Sequence, residues 1–182
     1  MRIVPILLFA ALLPLGAQEI KMPASLDKLA DKAEETVDVT LDSSLLKLAG
    51  KFLSSGGEND VTRKILAGLQ SVTVRSYQFS AEGQYDPADV DAIRAQVKAP
   101  EWSRIVGVKS KKDRENVDIY FKDGGNGNLG GIVVICAEPT ELTIVSVVGT
   151  IDPSQLASLG GQFGIPRFDF ELGSICCGRD GK

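Results

Sequence analysis

The chain has 182 residues, 20 Lys and Arg against 24 Asp and Glu, and no histidine, for a net charge of −4. With 43% hydrophobic and 24% charged residues it has the balance of a globular domain, neither disordered nor fibrous. Without His there is no imidazole catalysis or His-metal site. Three cysteines argue against a structural zinc, and the acidic balance argues against a nucleic-acid partner, so neither nucleic acid nor a cofactor is expected.

Met1-Arg2, an apolar run over 3–15 and then Leu15-Gly16-Ala17 form the pattern of a secretory signal, with cleavage expected between Ala17 and Gln18. The run falls short of the roughly 20 residues that span a bilayer, and Pro5 and Pro14 interrupt it. No stable membrane anchor is expected after cleavage, and the mature chain is expected to be periplasmic or secreted. Residues 18–36 read as a lead-in with a weak helix, in which Leu26, Leu29, Ala30 and Ala33 follow a Ser25 cap.

Val37, Val39 and Leu41 alternate with polar residues and predict a half-buried strand. Ser43 or Ser44 would cap a helix with Leu45, Leu48, Ala49 and Phe52 inward, stopped by Gly56-Gly57. A second helix, from Asn59 or Asp60, turns Val61, Ile65, Leu66 and Leu69 inward. The next strand spans 71–79, with a bulge expected near Arg75-Ser76 because its inward face switches from Val72/Val74 to Tyr77/Phe79. Asp86-Pro87 opens a helix with Val90, Ile93 and Val97 inward.

The period then changes to two. Trp102, Val106 and Val108 are assigned to one face of a strand. Val117, Ile119 and Phe121 alternate with Asp118, Tyr120 and Lys122, which makes Tyr120 a candidate surface contact. A Gly/Asn hairpin loop is expected over 123–128, then two apolar strands over 132–137 and 142–151. Asp152-Pro153 starts a last helix, with Gln155 completing a capping box, Leu156 and Leu159 inward and Gly160-Gly161 at its end. The expected architecture is one α+β domain over 37–166: two layers, a mostly antiparallel sheet of five to six strands with helices on one face. Residues 167–182 form a partly disordered tail, in which Phe168, Phe170 and Leu172 alternate.

Catalytic patterns are weak. Ser44-Leu45-Leu46-Lys47 fits S-x-x-K, but so does Ser25-Leu26-Asp27-Lys28, and no S-D-N or K-T-G partner follows. The run over 123–128 lacks the spacing and closing Glu of a calcium loop. No phosphate-binding glycine motif occurs. Lys109, Lys111, Lys112 and Arg114 form a basic turn, read as solvated, and Trp102 is read as core. No catalytic, cofactor or metal residue is assigned. Three cysteines permit at most one intramolecular bridge. Cys136 reads as a small buried hydrophobe, and Cys176 and Cys177 are candidates for a bridge between chains.

Leu66-Ala67-Gly68-Leu69 before Val72-Thr73-Val74, the stretch from Trp102 to Val108, Glu141-Leu142-Thr143-Ile144-Val145, Val148-Gly149-Thr150-Ile151-Asp152 and Gln162-Phe163-Gly164-Ile165-Pro166 together resemble the bacterial exported family known as domain of unknown function 4252. The resemblance covers about residues 37–166 and implies export. Many members resemble lipoproteins, whereas this chain has no leader cysteine. It implies no catalytic or ligand residue. The expected function is a non-catalytic binding domain of the cell envelope, docking a protein or envelope partner through an uncovered sheet face or edge. The alternatives are a carboxylate- or metal-dependent hydrolase and a carrier of a small apolar ligand lined by Leu48, Phe52, Ile65 and Val106.

Overall fold

Alternation of period two over the second half of the chain is realised as one antiparallel sheet. The computed structural model describes residues 20–53, 60–112 and 114–154, and their side chains except those of 52, 53 and 60–62. In chain order the elements are α1 (Ala24–Asp27), β1 (Glu35–Asp42), α2 (Ser43–Leu53), α3 (Asp60–Gly68), β2 (Leu69–Gln78), α4 (Pro87–Arg94), β3 (Trp102–Lys109), β4 (Asn116–Gly125), β5 (Asn128–Ala137) and β6 (Glu141–Ile151). The six strands lie in the order β1-β2-β6-β5-β4-β3, all neighbours antiparallel. Strands β3 to β6 form the expected meander, and the β1–β2 pair closes onto β6. The fold is therefore α+β.

One face of the sheet, the near face, carries the main core. Leu26, Leu29, Val90, Ile93 and Val97 bury against Tyr77, Trp102, Tyr120, Val133, Ile135, Leu142 and Ile144. The stretch before β1 is part of this core, since Ile20 and Leu26 are buried in it. Asp86 caps α4, its Oδ1 accepting from the Ala88 N–H at 2.8 Å, with Pro87 in the first turn. The opposite, far face is apolar across its width. Val39, Val74, Val145, Val134, Ile119 and Val106 stand in one register row through all six strands.

Several expectations give way to local physics. The bulge lies between Leu69 and Ser71, not at Arg75-Ser76. There Gly149 (φ 153°) packs so close to α3 that a Cβ on it would stand 2.5 Å from the Gly68 carbonyl oxygen. From Ser71 to Gln78 the register with β6 is unbroken, so Val72 and Val74 stand on the far face and Tyr77 on the near one with no bulge at Arg75. A second register shift between Arg104 and Val106 puts Trp102 on the near face and Val106 and Val108 on the far one. The bulged residue, Ile105, is 57% exposed.

Asp42 caps α2, its Oδ1 accepting from the N–H groups of Ser44 and Leu45 at 2.8 and 2.9 Å, so neither Ser43 nor Ser44 is the cap. Leu46 is buried in that helix, as is Gly50, whereas Leu45 and Leu48 are exposed, which shifts the expected face by about one position. Ser25 does not cap α1; its hydroxyl donates to Asp89 Oδ1 at 2.5 Å. The expected 123–128 loop shrinks to the pair Asn126-Gly127. Both residues have positive φ (55° and 79°), which fits the twist of a two-residue hairpin. The cleavage pair Ala17 and Gln18, Phe52, Gly56-Gly57, Val61, the helix after Asp152-Pro153 with Gln155, the Phe168/Phe170/Leu172 trio and the pair Cys176-Cys177 lie outside what is described.

Candidate interaction surface

Charged side chains within the core would be the first place to look for chemistry. The one buried acidic residue among those described is Asp118, 5% exposed on β4. Both of its oxygens are occupied. Arg94 approaches Oδ2 through Nε at 2.8 Å and Nη2 at 2.7 Å, and Arg104 approaches Oδ1 at 2.6 Å. Gly107, opposite Asp118 in the register, lies where the Arg104 guanidinium crosses the near face; a side chain there would collide with it. Arg94 also donates to Asp91 at 3.0 Å. Burial alone would lower the Arg94 pKa, but the hydrogen bonds to Asp91 and Asp118 outweigh it and raise the value. Two guanidiniums thus fasten α4 and β3 to β4. A carboxylate held on both oxygens is a fastening, not a base positioned for substrate.

Tyr120 is not a surface contact. It alternates with Ile119 as expected, but it points to the near face and is buried in the main core, where burial pushes its pKa up. The prediction failed because it treated the helix-facing side as solvent. Trp102 is core as expected, with the Lys122 ammonium 5.9 Å from its ring centroid. In the basic turn Lys109, Lys111, Lys112 and Arg114 are exposed, and Arg114 pairs with Glu82. The residues proposed to line a cavity do not converge: Leu48 is exposed, while Val106 packs in the far-face cluster. Among the described residues no three Asp, Glu or Cys side chains gather as metal ligands. No described helix is long and apolar enough to cross a membrane.

What remains is the perimeter of the sheet, and its two edges differ. At one end β3 is broken by the Ile105 bulge, and Arg104 folds across its near face. A bulged edge does not accept a regular partner strand. At the other end β1 pairs with β2 in unbroken register, from Glu35 with Gln78 to Asp42 with Ser71. No described residue pairs with its outer edge. Seven of its eight residues are exposed, including Val37 and Val39, and Glu35, Asp38 and Asp42 supply its only charges. Asp38 pairs with Arg75 of β2. Leu45 and Leu48 of α2 are also exposed, so among the described residues four of the five large exposed hydrophobic ones fall between positions 37 and 48. Scattered apolar residues are ordinary on a surface; a group on one edge strand and the helix after it marks a candidate interaction surface. The alternation in the sequence marked β1 as a strand, but nothing in it told an edge from a centre.

Cys136 is buried on the far face, as expected, yet it is disulfide-bonded and not merely a small hydrophobe. Beside it Val117 and Ile119 complete a second cluster, flanked by Val106, Val108, Phe121, Ile132 and Val134.

The family described as "Domain of unknown function (DUF4252)" matches residues 30–159, which is most of the chain, and the chain belongs to it. No curated protein and no solved structure matches it.

Proposed function

We propose that this member of the DUF4252 family is an exported, non-catalytic binding domain that takes an extended segment of a partner protein along the outer edge of β1. The unbroken, exposed edge carries the reading. An incoming strand would use the main-chain groups that β1 leaves unpaired, and Val37 and Val39 would meet its apolar residues on the far side. With Asp38 paired to Arg75 and Asp42 capping α2, Glu35 is the acid of β1 that favours a basic side chain on the incoming segment. A periplasmic or extracellular location is supported by the leader pattern and by the bonded state of Cys136, since disulfides persist in oxidising compartments. The occupied carboxylate of Asp118 favours binding over hydrolysis.

The test is affinity capture from envelope extract, run in parallel with the intact chain and with a Val37→Lys, Val39→Lys double variant. Val37 and Val39 are 40% and 36% exposed, and matched circular dichroism of the two proteins checks that the variant keeps the fold. A partner retained by the intact chain and reduced tenfold or more by the variant supports the reading. Capture of nothing above background, or of a partner indifferent to the variant, rejects it.

A further inference from the structure

The far face poses a packing question. Val117 is 0% exposed and Cys136 is 3% exposed, values that belong to an interior. Yet every described hydrophobic side chain packed against this cluster comes from β3, β4 or β5, beside it in the same sheet and not above it. Helix α4 and the stretch around α1 sit on the opposite face, and α2 and α3 pack against each other and against β1, β2 and β6. At the β1 end of the same face Val37 and Val39 are exposed. Burial is therefore concentrated over β4 and β5.

The bonded state of Cys136 identifies what lies there. The chain has only two other cysteines, Cys176 and Cys177, both in the C-terminal segment. Strand β6 ends at Ile151, opposite Leu129, whereas Cys136 lies at the other end of β5, opposite Thr143. To reach Cys136 the chain must come back along β5 by about 23 Å, seven residues at strand rise. From Ser154 to Cys176 there are about 22 residues, an extended reach of about 70 Å, ample for that path with length left over to spread across the face. The segment also has suitable chemistry: Leu156, Leu159, Phe163, Ile165, Phe168, Phe170, Leu172 and Ile175 are apolar, and its acidic and basic residues balance.

We propose that residues 155–182 cover the far face of the sheet over β4 and β5, fastened by a disulfide between Cys136 and Cys176 or Cys177. This goes beyond the binding reading and is independent of it, because the covered half of the face is not the β1 edge. This bridge takes one cysteine of the Cys176-Cys177 pair and leaves the other outside it. Formation of the bridge consumes two thiols, releasing two protons and two electrons to a thiol–disulfide exchange catalyst or another disulfide of the export compartment.

The experiment alkylates the intact chain under native conditions without reduction, then digests it and maps disulfides by mass spectrometry. The expected result, in the monomer, is a linked pair of peptides carrying Cys136 and the Cys176-Cys177 dipeptide, with one alkylated cysteine per chain. An alkylated Cys136, or a linkage found only in covalent dimers, overturns the proposal. A chain ending at Ser154 supplies the second readout. Its far face should bind an apolar fluorescent dye with several-fold higher signal than the intact chain at matched circular dichroism, and equal signal overturns the cover. The map reads the intact chain and so decides even if the shortened chain does not fold.

Discussion

Strands β1 and β4 carry nearly the same pattern. One reads Val37-Asp38-Val39-Thr40-Leu41-Asp42, the other Val117-Asp118-Ile119-Tyr120-Phe121-Lys122. Each sets an apolar row on the far face, and each holds an aspartate on the near face against arginine. Their fates are opposite. In β4 four consecutive residues, Val117 to Tyr120, are buried, while in β1 only Leu41 is even half-buried. Alternation fixes which side chains share a face; the place of the strand in the sheet, and what is laid over it, fixes how much water they lose.

The largest expected difference is between the aspartates. Asp118→Ala leaves Arg94 and Arg104 facing a void in the core and should lose about 3–5 kcal/mol of stability, at the lower end because Arg104 is half exposed. Asp38→Ala, on the exposed strand, should lose less than about 1 kcal/mol. Urea unfolding of the two variants measures both, and comparable losses would break the contrast. Next, Cys136→Ser removes the disulfide, which as proposed above closes a loop of about 40 residues, and should lower stability by about 2–4 kcal/mol under oxidising conditions, with little change once both proteins are reduced. Val117→Ala should cost about 2 kcal/mol against less than about 0.5 kcal/mol for Val37→Ala, which sharpens the same comparison at matched chemistry.

A smaller effect is expected at the turn that makes β4 an interior strand. Gly127→Ala forces a Cβ into the left-handed region and should cost about 1 kcal/mol, read as a lower midpoint of thermal unfolding. The smallest is at Glu141, in the row that ends at Glu35 of β1. Burial raises its carboxyl above the ordinary 4.5, Thr143 partly offsets this by hydrogen bonding, and Glu138 adds to it. A raised acid stabilises the fold in its protonated form. That contribution is complete below about pH 4.5 and is lost as pH rises through the folded value. Relative to Glu141→Gln, the natural chain should therefore gain stability as pH falls from neutral toward 4.5. A gap that does not change with pH would show the carboxyl to be unperturbed.

Where the sequence spoke clearly, the signal was local. Asp86-Pro87 with Val90, Ile93 and Val97 gave α4, because a capping carboxylate, a fixed proline φ and a 3.6-residue stripe all act within one element. The failures lie where an element meets its neighbours. Trp102 and Val106 look like one strand face until the unpaired Ile105 turns the chain over. Leu46 is inside and Leu48 outside because β1 hands the chain directly to α2, and that junction sets the rotation of the helix. Tyr120 reads as a surface residue only while the helix layer is unknown. The outer edge of β1 was legible as a strand but not as an edge.

By itself, then, the sequence determined the order of strands and helices from β1 to β6, the antiparallel meander, the family and the lack of imidazole chemistry, since each follows from residue type or from spacing within a few positions. The tertiary structure alone decided that β1 stands at the rim and β4 in the interior, that two arginines close on Asp118, and that Cys136 is bonded. Each of these depends on which surfaces meet across long separations in the chain, and burial is a property of that meeting, not of any residue in it.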